Sequence, residues 1–136
     1  MNNYLIFRTD RIGDFLLTAI LIKSIKRNDP NSIISLVSSK KNYEYINSFD
    51  NIDKVYVLKK GFINNLKLIF SLYKISFNSI IIHDYKNKSK IISFFLKSKS
   101  KYISNKKKIV SYIDEIKNIL KFLNFNFDNV DLNSLD

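Results

Sequence analysis

The sequence contains no cysteine and a single histidine, His83. Without cysteine, disulfides and thiolate chemistry are excluded, which agrees with a reducing compartment. One histidine argues against a histidine-based metal site, so we predict no metal cofactor. No apolar run approaches the roughly twenty residues that span a bilayer, and the N-terminus lacks the basic segment of a signal peptide. These absences predict a cytoplasmic protein.

The chain is rich instead in apolar and basic residues. Its 136 residues are 46% hydrophobic and 14% aromatic, which suffices for one domain with a core but not for two. Lysine and arginine total 23 against 12 acidic residues, a formal net charge of +11. This charge favours anionic partners, namely nucleic acid, acidic lipid or phosphorylated sugars. The alternative is a surface whose charge only keeps it solvated, and both interpretations also apply to the lysine run at 106–108.

Short apolar runs alternate with longer amphipathic segments along the chain. The runs predict strands at 4–7, 33–37, 55–58, 79–83 and 101–104. The segments predict helices at 14–22, 42–47, 62–73, 88–96 and 112–124. This order predicts a three-layer α/β fold, a parallel sheet with right-handed crossovers and helices on both faces. We expect one domain over 1–124 and a linker or tail over 125–136.

The segment at 4–26 contains the densest set of polar residues beside an apolar helix. Asp14 falls in the first helical turn, where unpaired N–H groups and the helix dipole favour a negative charge. In an open α/β sheet such a junction lies at the carboxyl end of a strand, where ligands usually bind. Gly13 stands without the glycine triplet of a dinucleotide fingerprint. The sequence therefore predicts a binding site here, but not one for a dinucleotide.

Residues 8–18, RTDRIGDFLLT, resemble the amino-terminal signature of glycosyltransferase family 9, the lipopolysaccharide heptosyltransferases, whose pattern reads roughly R-x-D-R-I-G-D-x-L-L-T-x-P. Relatives commonly carry a proline near the position of Ala19-Ile20. Weaker similarity continues at 51–55 and 77–84. The resemblance implies a Rossmann-like domain, the amino-terminal, acceptor-side half of a two-domain GT-B enzyme, with the carboxyl-terminal donor-binding domain absent.

The resemblance also implies roles for individual residues. Glycosyl transfer with inversion needs a base for the acceptor hydroxyl and positive groups or helix N-termini for the departing diphosphate. Asp14 matches the catalytic aspartate of the family. The donor would be a nucleotide sugar such as ADP-heptose, with no metal, and the acceptor a phosphorylated glycolipid of the lipopolysaccharide core. We predict substrate binding by the surrounding polar residues Arg8, Thr9, Asp10, Arg11, Gly13 and His83.

Each residue of the motif also has a purely structural interpretation. Asp14 is consistent with an aspartate that only stabilises the helix dipole, and Gly13 with an ordinary turn glycine. Arg8 and Arg11 are able to bind phosphate bidentately or to form surface ion pairs with a neighbouring aspartate. Asp10 is expected to orient an arginine rather than to take part in the chemistry.

Two residues outside the loop have similar alternatives. His83 is expected, with Asp84, on the rim of the cleft at the end of the fourth strand, as a ligand of a sugar hydroxyl or as a satisfied polar group. Thr18, on an otherwise apolar helix, is expected to bond back to a backbone carbonyl.

Two functions are consistent with these patterns. The first is half of a heptosyltransferase-like enzyme, truncated or split, that needs a partner chain with the missing domain and is weak or inactive alone. The second is a non-catalytic, flavodoxin-like module that binds polyanions or a partner protein. The sequence has no basic stripe interleaved with aromatic residues, which disfavours nucleic acid. Peripheral contact with the anionic inner membrane is compatible with the first function.

Overall fold

The computed structural model describes residues 1–10, 12–104 and 111–125, with the backbone alone at 12 and 13. Within these residues, five parallel strands form one sheet in the order β3-β2-β1-β4-β5. The strands are β1 (Asn3–Arg8), β2 (Ile33–Ser39), β3 (Lys54–Leu58), β4 (Ser76–Ile82) and β5 (Lys97–Ile103). β1 therefore lies at the centre of the sheet, between β2 and β4.

Helices connect successive strands. They are α1 (Ile12–Asn28), α2 (Tyr43–Ile46), α3 (Phe62–Leu72), α4 (Asn87–Phe94) and, after the last strand, α5 (Tyr112–Phe122). A single 3₁₀ turn, Lys40–Asn42, precedes α2. This alternation confirms the predicted Rossmann-like α/β fold with a parallel sheet.

The side chains of β1 alternate between two hydrophobic cores, because successive residues of a strand point to opposite faces. Ile6 packs in one core with residues of α1 and α5 such as Ile20 and Ile119. Leu5 packs in the other core with Leu68 of α3 and Ile92 of α4. The sheet is thus covered by α1 and α5 on one face and by α3 and α4 on the other.

The direction of the chain across the sheet reverses next to β1. From β1 the chain passes through α1 to β2 and on to β3 at one edge, then α3 returns it to β4 on the other side of β1. The carboxyl ends of β1 and β4 are therefore neighbours from which the chain departs in different directions. In open α/β sheets a ligand crevice forms at such a switch point.

Most element boundaries differ by one or more residues from the sequence-based prediction, and α1 ends at Asn28 rather than at 22. β5 begins at Lys97 rather than at 101, because its first half, Lys-Ser-Lys-Ser, carries no apolar signal and is held by pairing with β4. β4 begins at Ser76 rather than at 79, and α1 begins at Ile12 rather than at 14. Tertiary pairing and packing extend each element beyond its apolar run.

Some predicted features lie outside the described residues. These are Arg11, the lysine run at 106–108 and the tail beyond Phe125. Phe125 itself packs edge-to-face on Tyr4, with ring centroids 6.1 Å apart. In the described ranges, no helix combines the length and the apolar character needed to cross a bilayer.

Candidate active site

An open groove of about 360 Å³ lies at the switch point, at the carboxyl ends of β1 and β4. Its walls come from three parts of the chain: the end of β1 with the start of α1, the loop after β4, and the start of α5. The side chains that line it are almost all polar or charged, namely Arg8, Asp10, Asp14, Asp84, Tyr85, Lys86 and Tyr112. The arrangement is suited to a polar, hydroxylated ligand rather than to an apolar one.

Asp14 lies in the first turn of α1, is half-buried and lines the groove. The unpaired N–H groups and the dipole of α1 stabilise negative charge at this end of the helix. A ligand in the groove can therefore reach the carboxyl group of Asp14.

Arg8, the last residue of β1, is only 2% exposed. Its ion pair is therefore buried, whereas the structural interpretation of the sequence expected an ion pair at the surface. Its Nη1 donates to Oδ2 and Oδ1 of Asp10 at 3.0 and 3.3 Å. Asp10 thus orients an arginine, as predicted. Burial raises the pKa of the Asp10 carboxyl, Arg8 opposes the shift, and the negative charges of Asp14 and Asp84 add to it.

Behind the groove, Arg8 connects to a buried pair of residues. Its Nε donates to Thr18 Oγ1 at 2.8 Å, and the same oxygen lies 2.8 Å from His83 Nδ1. Thr18 therefore links two side chains instead of bonding back to a carbonyl as expected. His83 is 2% exposed, so it lies beneath the site and not on its rim. Burial, reinforced by the charge of Arg8, lowers the pKa of His83 well below its ordinary 6.5, and the imidazole is neutral.

Asp84 fastens the two loops of the groove together. Its Oδ2 accepts hydrogen bonds from the Thr9 hydroxyl at 2.7 Å, the Thr9 N–H at 3.2 Å and the Ser89 hydroxyl at 2.7 Å. Its Oδ1 accepts from the N–H of Lys86 at 3.1 Å. Thr9, predicted to bind substrate, is therefore held by Asp84, and the spacing of the loops after β1 and β4 is fixed by one carboxylate.

Tyr85 has a left-handed backbone, with φ of 59°. Bulky residues rarely adopt this conformation, and such strain persists where surrounding contacts impose it, often at functional sites. Tyr85 lines the groove, and its hydroxyl is buried without a hydrogen-bond partner among the residues that the structure describes. Burial and the charge of Glu115 raise the pKa of Tyr85 to about 12, so the hydroxyl is a donor at neutral pH.

The structure brings together part of the predicted site. Arg8, Asp10 and Asp14 line the groove, and Gly13 lies in the first turn of α1. Arg11 lies outside the described residues. Sequence reasoning did not select three further lining residues, Tyr85, Lys86 and Tyr112. The signal for the first two was their position directly after a buried strand, whereas nothing near Tyr112 in the sequence links it to β1.

No protein-family model and no curated protein matches the chain. Its fold does match solved glycosyltransferase structures. The family 9 glycosyl transferase from Veillonella parvula DSM 2008 superimposes with a TM-score of 0.73 at 18% identity, over 92% of this chain and 42% of that one. E. coli heptosyltransferase WaaC, in its structure with ADP-2-deoxy-2-fluoro heptose, superimposes with a TM-score of 0.74 at 12% identity, over 95% of this chain and 50% of that one.

A third match, the E. coli ADP-heptose lps heptosyltransferase II, has a TM-score of 0.59 at 16% identity, over 70% of this chain and 28% of that one. The chain has the fold of about half a GT-B heptosyltransferase. It spans half or less of the length of each of these proteins. At this level of identity the likeness concerns the fold.

Proposed function

We propose that the chain is the acceptor-side half of an inverting glycosyltransferase that transfers heptose or a related sugar from a nucleotide sugar to a lipopolysaccharide core acceptor. The observation that supports this most is the position of Asp14. It lines an open, polar groove at the switch point of a fold that matches half of the heptosyltransferases. Arg8 and Asp10, from the same signature-like segment at 8–18, also line this groove.

In this proposal Asp14 is the general base. The acceptor hydroxyl oxygen attacks the anomeric carbon of the donor, the bond from that carbon to the diphosphate oxygen breaks, and the hydroxyl proton passes to the Asp14 carboxylate. Lys86 lines the groove and supplies positive charge for the departing diphosphate. Arg8 acts indirectly, because its Nη1 and Nε are engaged by Asp10 and Thr18.

A second groove, of about 700 Å³, supports a phosphorylated acceptor. It lies along the same edge of the sheet, at the carboxyl ends of β2 and β3, where Ser39 and Leu58 form part of its lining. Four lysines line it: Lys40, Lys41, Lys59 and Lys60. Lysine ammonium groups bind phosphate as point charges, so a glycolipid with phosphate groups fits this edge better than a neutral sugar.

The nucleotide donor requires a second domain in this proposal, because the chain spans only about half of the matched enzymes. That domain would come from a separate partner chain or from a longer polypeptide. The positive groups along the edge would stabilise the diphosphate without a metal ion. The isolated chain is accordingly expected to have weak transferase activity or none.

Binding by the isolated chain tests the proposal. We expect a phosphorylated lipopolysaccharide core oligosaccharide to shift the amide NMR signals of Asp14, Tyr85 and Tyr112, and ADP alone to shift them little. Lys59→Gln, in the lysine-lined groove, should weaken this binding by roughly threefold to tenfold, as expected for one charge-assisted contact. The matched change Lys117→Gln, on the exposed surface of α5, should leave it unchanged. Tight ADP binding without acceptor binding would contradict the proposal, and robust transfer from ADP-heptose by the chain alone would contradict its half-enzyme part.

A non-catalytic module for polyanions is the second candidate, favoured by the four lysines around the larger groove. It predicts retention of RNA or DNA that weakens steeply with salt. It also predicts no selective effect of the phosphorylated core sugar on residues of the smaller groove. The two binding experiments therefore separate the candidates.

A further inference from the structure

The outer side of α3 is apolar and exposed. Leu68 and Leu72 of this helix are buried against the sheet. On the opposite side Phe62, Ile63 and Phe70 are 74%, 68% and 69% exposed. A helix packed on a domain normally turns polar residues outward, so this face is not explained by the fold of the domain alone.

Helix α4 adds to the same outer surface. Its buried residue Ile92 shares a core cluster with Leu68 of α3, so both helices cover one face of the sheet. Around α4, Ile91, Phe94 and Phe95 are exposed. We call this surface the α3–α4 face, defined by the exposed residues Phe62, Ile63, Leu66, Phe70, Tyr73, Ile91, Phe94 and Phe95.

The segment that contains the α3–α4 face has charge of almost one sign. Residues 54–104 contain 11 lysines, no arginine and one acidic residue, Asp84. Asp84 is 2% exposed and bonded within the site, so it does not offset the lysines at the surface. Lys67 and Lys74, on and just after α3, are exposed. The face therefore combines large apolar side chains with an uncompensated positive charge.

We infer that the α3–α4 face docks on an anionic lipid bilayer, with its phenylalanines at the level of the acyl chains and its lysines at the headgroups. Helices that lie in a membrane interface have this composition, with Phe and Leu on one side and Lys on the other. Lysines near an anionic leaflet contribute to binding additively and over about a Debye length. The lysines therefore favour a negatively charged surface. The exposed apolar residues favour a surface with an apolar interior, which a lipid bilayer has.

Two other occupants fit the face less well. A second copy of the chain, docked symmetrically, would bring the lysines of both copies together, which is repulsive. Proteins bind nucleic acid through phosphate contacts and base stacking, and arginine is well suited to both. Residues 54–104 contain no arginine. Nucleic acid also leaves the exposed aliphatic residues Ile63 and Ile91 unexplained.

Vesicle flotation tests the inference without any sugar-transfer assay, so it stands or fails separately from the proposed function. The chain is mixed with vesicles of phosphatidylcholine and phosphatidylglycerol, or of phosphatidylcholine alone. We expect it to float with the anionic vesicles only, and to be released by high salt. Phe62→Ser with Phe70→Ser should weaken partitioning at least roughly tenfold, since both exposed side chains leave the apolar phase.

The electrostatic part is tested by a matched pair of double variants. Lys67→Gln with Lys74→Gln should weaken partitioning roughly 30-fold, from about 1 kcal/mol for each lysine. Lys117→Gln with Lys121→Gln, on exposed positions of α5 across the sheet, removes the same charge and should change partitioning at most slightly. All the changed side chains are exposed, so we expect every variant to fold. Circular dichroism checks this.

Three outcomes would overturn the inference. The first is equal binding to neutral and anionic vesicles, and the second is an equal loss in both lysine double variants. The third is absence of vesicle binding together with a dimer, seen in sedimentation velocity, that Phe62→Ser with Phe70→Ser dissociates. That last result would assign the face to a second copy of the chain.

Discussion

Thr18 Oγ1 and His83 Nδ1 lie 2.8 Å apart although 65 residues separate them in the chain. Thr18 also accepts a hydrogen bond from Arg8 Nε at 2.8 Å. A hydroxyl has one proton, so the assignment that satisfies both contacts has Thr18 accepting from Arg8 and donating to a neutral His83. The central strand, the first helix and the fourth strand are thereby joined by polar contacts inside the core.

Thr18→Val should lower the free energy of unfolding by about 2–4 kcal/mol, because it leaves two buried polar atoms, Arg8 Nε and His83 Nδ1, without their partner. Thr18→Ser keeps the hydroxyl and loses only a methyl group, so it should cost about 1 kcal/mol. Urea denaturation of both variants measures the difference. If Val is tolerated as well as Ser, the hydroxyl bridge does not contribute to stability.

His83 predicts a loss of stability in mild acid. Its pKa in the folded protein is well below the ordinary 6.5, so the unfolded chain binds a proton there at a pH where the native protein does not. The stabilisation is complete above about pH 6.5 and falls by about 1.4 kcal/mol for each pH unit below it, until the native pKa is reached. Urea denaturation at about pH 7 and about pH 5 measures this loss.

His83→Asn is the control for that prediction. Its amide oxygen replaces Nδ1 as an acceptor for Thr18 but does not titrate, so the part of the pH dependence due to His83 should disappear. The raised pKa of Asp10 acts in the opposite direction, since lowering the pH through it favours the native state, and both proteins share this effect. An unchanged pH slope in His83→Asn would contradict the assignment to His83.

Sequence patterns predicted the fold where burial leaves a local signal. The central strands β1 and β4 are covered on both faces, so they appear as continuous apolar runs. The first half of β5 has no such run, and only its pairing with β4 makes it a strand. The motif at 8–18 predicted the fold of the matched glycosyltransferases. It could do so because a strand–loop–helix junction is formed by residues that are close together in the sequence.

The candidate site was less predictable because its contacts join distant segments. The link from Thr18 to His83 and the link from Thr9 to Asp84 depend on β1 and β4 lying side by side. A tyrosine with φ of 59° runs against the residue preference for that conformation, so no propensity predicts Tyr85 there. The two links, from Thr18 to His83 and from Thr9 to Asp84, follow from the order of strands in the sheet, which cannot be read from a single sequence.

Asp84→Asn should destabilise the junction of the two loops by about 2 kcal/mol, since charge-assisted hydrogen bonds are replaced and the new amide faces a donor, the Lys86 N–H. Hydrogen exchange at the amides of Thr9 and Lys86 should accelerate more than exchange in the central strands. The exposed residue Asp50 offers the matched change Asp50→Asn, for which we expect almost no effect. Equal protection of Thr9 in both variants would show that Asp84 does not hold the loop.

Gly61→Ala should cost about 1–3 kcal/mol for a reason that involves the backbone alone. Gly61 precedes α3 with φ of 108° and ψ of 149°, a conformation close to exclusive to glycine. A Cβ there would meet nothing nearer than Asn64 Nδ2 at 3.8 Å, so the loss is not due to a clash. Chemical denaturation measures it against Lys60→Ala, which should lie within about 0.5 kcal/mol of the parent chain. A similar stability for both variants would contradict the strain argument.

Asp14 and Asp10 should separate activity from stability. Asp14→Asn removes a half-buried carboxylate from the first turn of α1, so the free energy of unfolding should fall by at most about 1 kcal/mol. With a donor-binding domain supplied, the proposed function predicts a fall in transfer of about 10²–10⁴-fold, because it assigns Asp14 as the general base. Asp10→Asn leaves the buried guanidinium of Arg8 without its countercharge and should cost about 3–5 kcal/mol. Full transfer by Asp14→Asn would show that Asp14 is not the base. The next candidate would then be Asp10, which lines the same groove and has a raised pKa.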